Sequence, residues 1–197
     1  MKETIKNVCV FCGSSRGRNP VYAKAAQDLG RRLAERGYGL VYGGGRVGLM
    51  GEIAKAVLDA GGDAVGVIPE ALLKREVGHG ALTRLEVVDS MHERKARMAE
   101  LSDGFVAMPG GFGTLEEWFE IITWAQLGIH DKPCVLLNVA GYFDPLLAMI
   151  ERSVAEDFIR TEHRKLFAVA ATADEALECI VNMRPEPGER WLSRSQS

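Results

Sequence analysis

Two neighbouring cations, Arg94 and Lys95, fall where a predicted helix should present apolar side chains. Met91, Met98 and Leu101 stand at i, i+7 and i+10, a spacing that lines one face of an α-helix. Arg94 and Lys95 occupy positions i+3 and i+4 of the same face. Burying a cation costs several kcal/mol unless an anion pairs with it. A long side chain can instead extend past its apolar neighbours to solvent, but this is easier for one of the two cations than for both. We therefore predict an anionic partner for the pair, with a phosphate as the favoured candidate.

Glycine-rich turns after three short β-branched runs offer places where such an anion can bind. They lie at 13–15, 43–48 and 109–114. Glycine lets the backbone approach a ligand closely, and the helix that begins just after a turn presents free N–H groups and the positive end of its dipole. Since ligands of an open parallel sheet bind beyond the carboxyl ends of its strands, the turns predict a phosphate site at that edge.

The helix after the third turn begins with the acidic residues Glu116, Glu117 and Glu120. One interpretation is structural: Thr114 caps the helix and Glu117 completes a capping box by accepting the N–H of Thr114. The other interpretation places these acids in a binding site at the turn. The two cations on the preceding helix favour the second.

The second turn matches G-x-G-x-x-G at Gly43, Gly45 and Gly48, and an acid, Glu70, follows the next strand. This pattern keeps a dinucleotide cofactor as an alternative. It is weak alone, because it follows the second predicted strand rather than the first, and because the same glycines permit a tight turn from strand to helix.

Composition and charge narrow the classes of partner. The 197-residue chain is 47% apolar and 26% charged with a net charge of −3, so we expect a globular protein with no overall basic field for nucleic acid or an acidic membrane. The polar residues 1–7 and the short apolar run 8–12 provide neither a signal peptide nor a membrane span, so we expect a cytoplasmic protein.

Cysteines and histidines do not predict a metal or redox site. Four cysteines are too few for a disulfide framework in a chain of this size. Cys9 and Cys12 form a C-x-x-C, but no helix starts between them and positions three apart on a strand face opposite sides, so both are expected to be buried. The four histidines are scattered along the chain, so we expect no metal and no other cofactor.

Strands and helices alternate along the chain and must position these turns. The predicted strands are 8–12, 39–42, 64–68, 85–88, 105–108, 133–138 and 166–169. The predicted helices are 20–36, 49–60, 90–102, 114–127, 142–157 and one from 174 onward, while 69–83 is a long loop or a loop with a short helix. The alternation predicts an α/β fold, a Rossmann-like doubly wound parallel sheet with helices on both faces, as one domain over 1–183 with a tail at 184–197.

Two segments, MHERK at 91–95 and PGGFGTLEE at 109–117, resemble the paired motif of the LOG (Lonely Guy) family. The similarity runs from 8 to about 170 and includes CVFCGS at 9–14, VYGGG at 41–45 and TWAQLG at 123–128. Members of that family are cytokinin riboside 5′-monophosphate phosphoribohydrolases, long labelled lysine decarboxylases. The double motif is much more specific than either glycine run alone.

The resemblance implies hydrolysis of the N-glycosidic bond of a cytokinin riboside 5′-monophosphate or AMP, without a cofactor, in a homodimer with the active site near the subunit interface. It implies that Arg94 and Glu117 are the catalytic pair. The implied substrate and phosphate contacts are Ser14, Gly44, Gly45, Glu76, Lys95, Gly110, Gly111, Phe112, Gly113, Thr114, Glu116 and Thr123. A carrier of the same fold, akin to the molybdenum-cofactor carrier proteins, and a dinucleotide oxidoreductase stay open as alternatives.

Overall fold

A computed structural model describes residues 5–73 and 82–185 and contains a seven-stranded sheet. The strands are β1 Asn7–Phe11, β2 Gly39–Tyr42, β3 Ala64–Pro69, β4 Arg84–Val88, β5 Gly104–Ala107, β6 Cys134–Leu137 and β7 Ala168–Ala170. Their order is β4-β3-β2-β1-β5-β6-β7, and each pair of neighbours is parallel.

Helices connect successive strands. They are α1 Val21–Glu35, α2 Gly48–Asp59, α3 Glu70–Leu73, α4 Met91–Glu100, α5 Phe112–Gln126, α6 Asp144–Ala155 and α7 Ala173–Asn182. Two 3₁₀ turns, Val139–Gly141 and Thr161–Leu166, flank α6. Neither 3₁₀ turn was predicted from the sequence.

Both faces of the sheet are covered, as the doubly wound prediction requires. On one face Val8 and Val10 of β1 pack with α1, α2 and α7, and on the other Cys9 and Phe11 pack with α4, α5 and α6. This division follows from the strand period of two. Cys12 joins the first face, so the prediction that Cys9 and Cys12 are buried on opposite sides of a strand is confirmed.

The direction of winding reverses between β1 and β5. The chain adds β2, β3 and β4 on one side of β1 and then returns to place β5 on the other side. Such a reversal opens a crevice at the carboxyl ends of the two central strands, where open α/β sheets bind ligands. The turns at 13–15 and 109–114 follow these two strands and therefore meet at the crevice.

The predicted strands and longer helices are all present, with ends shifted by at most two residues. The helix α3 fits the prediction of a short helix within the loop at 69–83. Residues 74–81, which include Glu76, lie outside the described residues, and so do 186–197, nearly all of the predicted tail. Within the described ranges, no helix is long and apolar enough to cross a membrane.

The predicted cap of α5 was wrong. α5 begins at Phe112 with Gly111 as its N-cap in an extended conformation (φ −95°, ψ −154°), so Thr114 is its third residue. No side chain in the described part of the chain caps this end, and the N–H of Leu115 donates to the carbonyl of Gly111. A capping box of Thr114 and Glu117 is therefore excluded, because a residue without a side-chain acceptor holds the cap position.

Candidate active site

Arg94 of α4 and Glu117 of α5 form a buried ion pair. Nη1 of Arg94 lies 3.0 Å from Oε1 of Glu117, and the two side chains are only 10% and 9% exposed. The burial of Arg94 and of its neighbour Lys95 confirms that the cations lie on a buried helix face. A buried pair is favourable only with good geometry and additional hydrogen bonds, so the other contacts of the guanidinium decide how well it is held.

The guanidinium of Arg94 makes one such hydrogen bond and one close steric contact, both near the carboxyl ends of neighbouring strands. Its Nε donates to the carbonyl of Val67 in β3 at 3.1 Å. Its Nη2 lies against Gly43, directly after β2, where an added Cβ would stand only 2.0 Å from this nitrogen. Gly43, the first glycine of the G-x-G-x-x-G match, therefore leaves room for Arg94. This contact explains the glycine without a bound dinucleotide.

Glu117 titrates differently from an exposed glutamate. Burial raises the pKa of its carboxyl above the usual value of 4.5, and the guanidinium of Arg94 opposes that rise. Glu116 on the same helix also raises the pKa, whereas Lys95 lowers it. A carboxylate with a shifted pKa and one specific cationic partner is typical of functional sites.

Lys95 has two carboxylate partners on α5. Its Nζ contacts Glu116 and lies 2.9 Å from Oε1 of Glu120. Burial lowers the pKa of Lys95, but hydrogen bonds to the two glutamates outweigh it and the net pKa is raised. The prediction that these buried cations have an anionic partner is confirmed, and α5 itself supplies the anions, so their burial alone does not require a phosphate.

The five residues 110–114, named here the α5 entry turn, border the crevice and are exposed at 111–113. The first N–H groups of a helix have no acceptor inside it, and at α5 no side chain of the described residues caps them. A Cβ on Gly111 or Gly113 would meet nothing within 4 Å, so both glycines border open space. Phe112 between them is 94% exposed. The turn thus combines accessible N–H groups with the positive end of a helix dipole.

The turn after β1 is tied to both neighbouring turns. The N–H of Gly13 donates to the carbonyl of Pro109 at 3.1 Å, and the carbonyl of Gly13 accepts from Leu49 at 2.9 Å. A Cβ on Gly48 would stand 2.2 Å from the carbonyl carbon of Ser14. The structure therefore places exposed Ser14 beside the start of α2 at the edge of the crevice.

The predicted substrate contacts Gly44, Gly45 and Thr123 do not all lie beside the Arg94–Glu117 pair. Gly44 has a positive φ of 77° and lies against Ile68, so a turn at the end of β2 explains it, and Gly45 beside it is buried. Thr123 is exposed and lies six residues beyond Glu117, about 9 Å along the axis of α5. Its hydroxyl donates to the carbonyl of Phe119 at 2.7 Å. Thr123 is therefore separated from the Arg94–Glu117 pair within one chain.

Known proteins are similar in sequence to this chain over most of its length. The model of a family described as "possible lysine decarboxylase" matches residues 50–180. The cytokinin riboside 5′-monophosphate phosphoribohydrolase LOG of Oryza sativa subsp. japonica is 49% identical, over 94% of this chain and 76% of that protein. The corresponding enzyme LOG3 of Arabidopsis thaliana is 48% identical, over 93% of this chain and 86% of its own length. The chain belongs to the LOG family.

Solved structures with lower identity to this LOG-family chain share its fold. The molybdenum cofactor carrier protein of Chlamydomonas reinhardtii matches with a TM-score of 0.66 at 22% identity, over 90% of this chain and 96% of that one. The molybdenum cofactor binding protein of Rippkaea orientalis matches with a TM-score of 0.67 at 21% identity and the same coverage. At this level of identity the likeness establishes the fold alone.

Sequence reasoning did not assign several contacts of the site. The carbonyl of Val67 and the space beside Gly43 emerge only when β2, β3 and α4 are assembled. Glu120 was recognised as an acid near the start of a helix, and its position four residues after Glu116 could have identified it as the second partner of Lys95. Within the described residues, no group of three or more His, Cys, Asp or Glu side chains is arranged to hold a metal.

Proposed function

We propose that this chain hydrolyses the N-glycosidic bond of a nucleoside 5′-monophosphate, either a cytokinin riboside 5′-monophosphate or AMP, to the free base and ribose 5-phosphate. The observation that carries the proposal is a buried carboxylate, Glu117, on the same helix as an N-terminus open to an anion. Glu117 follows Phe112 by five residues, about 7.5 Å along the helix, the length scale of one ribose 5-phosphate. The identity to enzymes named for this reaction supports the same assignment.

The proposed reaction joins water to the ribose carbon that holds the base. The C–N bond breaks with its electron pair passing to the base nitrogen, so positive charge develops on the ribose. Ionised Glu117 stabilises that charge and orients the attacking water. The water oxygen bonds to the ribose carbon, and the proton that it loses replaces the sugar on the base. Arg94 holds Glu117 in its ionised form through the contact at 3.0 Å.

The phosphate of the substrate is assigned to the α5 entry turn. Free N–H groups and the helix dipole favour an anion there, and Gly111 and Gly113 leave room for it. Ser14 is proposed as a further contact from the turn after β1. Lys95 and Glu116 form the adjacent polar rim, in which Lys95 keeps its positive charge through the two glutamates.

AMP and an N6-substituted AMP are expected to yield free base and ribose 5-phosphate, whereas adenosine should react far more slowly. Binding of the remote phosphate positions the reacting bond, and a nucleoside lacks that interaction. Chromatography of products from the purified protein with each compound measures the reaction. Equal rates for adenosine and AMP would contradict the phosphate site, and no base release from any monophosphate would contradict the hydrolase proposal.

Two other functions fit the site less well. A pyridoxal-phosphate decarboxylase needs a lysine amine that can become neutral, but the two glutamates raise the pKa of Lys95. A carrier of the same fold would bind its ligand without needing the buried Arg94–Glu117 pair. The hydrolase proposal gives this pair a chemical role.

We also propose a homodimer in which the outer face of α5 meets a second copy. Phe112, Glu116, Phe119 and Thr123 follow at i, i+4, i+7 and i+11 and so share one helix face, where Phe112 and Phe119 are 94% and 45% exposed. Such an interface lies directly beside the proposed phosphate site. It also gives Thr123, which is distant from Glu117 in its own chain, access to the site of the second copy.

Light scattering is expected to give twice the chain mass of 21.5 kDa. Phe119→Arg should shift the mass toward one chain, because it places a charge in the proposed interface. Phe158→Arg is the matched control, since Phe158 is 86% exposed but lies after α6. A wild-type mass of one chain at all working concentrations would overturn the dimer.

A further inference from the structure

We infer that Tyr142 is a positioning residue for the phosphate site, because its hydroxyl holds one peptide group of the α5 entry turn in place. The hydroxyl of Tyr142 donates to the carbonyl of Gly110, 32 residues earlier in the chain. This inference rests on the proposed assignment of the substrate phosphate to the entry turn. It adds a residue from the segment after β6, which none of the sequence motifs includes.

The contact matters because of the geometry of the peptide bond. In a trans peptide the carbonyl of Gly110 and the N–H of Gly111 point in opposite directions. Fixing the carbonyl toward Tyr142 therefore fixes the N–H of Gly111 on the other side, among the free N–H groups of the turn. Glycine has no side chain to restrict its backbone, so the peptide between Gly110 and Gly111 gains most from an external hydrogen bond.

Tyr142 is itself presented by a well-fixed turn. Asn138 at the end of β6 accepts the N–H of Phe143 at 2.7 Å and donates to Asp144 at 2.7 Å. The side chain of Phe143 is 1% exposed and anchors the segment in the core. Gly141 takes a positive φ of 70°, and a Cβ there would meet Asp144. The backbone of Tyr142 is thus followed directly by a residue that is anchored by burial and by its hydrogen bond to Asn138.

Aromatic packing then orients the ring of Tyr142. It meets the ring of Phe143 edge-on with centroids 5.0 Å apart, and the ring of Tyr22 from α1 edge-on at 5.8 Å. Both arrangements are favourable for aromatic pairs. A rigid ring with a hydroxyl directed at Gly110 is suited to hold the entry turn while phosphate arrives and leaves.

Tyr142→Phe tests this role, with Tyr22→Phe as a matched control. The first variant removes the hydrogen bond and keeps the ring, so the dissociation constant of inorganic phosphate and the KM for AMP should both rise about three- to tenfold. Its turnover number, its slow reaction with adenosine and its melting temperature should stay near the wild-type values. Within the described residues the hydroxyl of Tyr22 makes no hydrogen bond, so Tyr22→Phe should change none of these quantities.

Calorimetric titration with inorganic phosphate makes the test independent of catalysis. If the wild type binds phosphate but releases no base from AMP, the hydrolase proposal fails while the role of Tyr142 is still measured. Phosphate affinity of Tyr142→Phe equal to that of the wild type would overturn the inference. An equal loss of phosphate affinity in Tyr22→Phe would also overturn it. So would a matching fall in the rate with adenosine in Tyr142→Phe, since either result would indicate general damage to the site.

Discussion

Glutamine at position 117 is expected to lower the turnover of a nucleoside 5′-monophosphate at least ~100-fold in a protein that still folds, with a melting temperature below that of the wild type because Arg94 loses its buried carboxylate. The amide keeps the shape of Glu117 and retains an oxygen that can accept from Nη1 of Arg94, which lies 3.0 Å from the native carboxylate. It lacks the negative charge that stabilises a cationic transition state. Steady-state kinetics and thermal unfolding of Glu117→Gln measure the two effects separately.

Glu52 offers a matched control for this substitution. Its side chain is 11% exposed and paired with an arginine, as that of Glu117 is, but this arginine, Arg16, is 70% exposed and Glu52 lies on α2. Glu52→Gln should therefore keep turnover within a few-fold of the wild type. If Glu117→Gln turned over as fast as the wild type, Glu117 would be only a structural partner of Arg94 and the proposed mechanism would be wrong.

The pH dependence of turnover gives a second measurement of the same role. Burial raises the pKa of Glu117, so the ionised form is lost at a higher pH than for a free glutamate. Turnover should fall as the pH decreases through a value above 4.5. In Glu117→Gln the remaining activity should lose this acid limb. A wild-type acid limb at 4.5 or below would contradict the assignment of the titrating group.

The architecture could be predicted because its signals are local. Alternating β-branched and helical stretches specify a parallel sheet with helices on both faces, and glycines mark three of the places where a strand passes into the next helix. The burial of Arg94 and Lys95 was predictable for the same reason, since helical spacing alone assigns them to the face of Met98. These predictions needed no knowledge of which strands are neighbours.

Apart from the Arg94–Glu117 pair, which the family resemblance implied, the contacts of the site could not be predicted, because they join segments that are distant in sequence. Nothing local shows that Glu117 lies beside Arg94, or that Gly43 makes room for that guanidinium. Local spacing even offered a wrong partner for Glu117, because Thr114 and Glu117 have the spacing of a capping box. Gly111 takes the cap position instead, and Glu117 faces the interior. The same placement frees the N–H groups that the proposed phosphate requires.

Arg94→Ala is expected to destabilise the protein by an amount that grows with pH, up to about 3 kcal/mol near pH 8. Without the guanidinium, burial acts on Glu117 unopposed and its pKa rises above the wild-type value. A carboxyl with a higher pKa in the folded chain than in the unfolded chain takes up a proton on folding. Its cost to stability is therefore small near pH 5 and increases as the pH rises. Urea unfolding of both proteins at pH 5 and pH 8 measures the difference.

Two companion variants separate this explanation from a general effect of losing an arginine. Adding Glu117→Gln to Arg94→Ala removes the titrating carboxyl, so the double variant should be more stable than Arg94→Ala at pH 8 and nearly equal to it at pH 5. Arg97→Ala, on the same helix, removes a surface pair whose hydrogen bond lowers the pKa of Glu86. This variant should lose less than about 1 kcal/mol of stability, and the loss should be the same at both pH values. If Arg94 were an isolated cation on an apolar face, Arg94→Ala would instead be more stable than the wild type. A gain, or a loss independent of pH, would show that Arg94 does not serve as the buried counter-ion of Glu117.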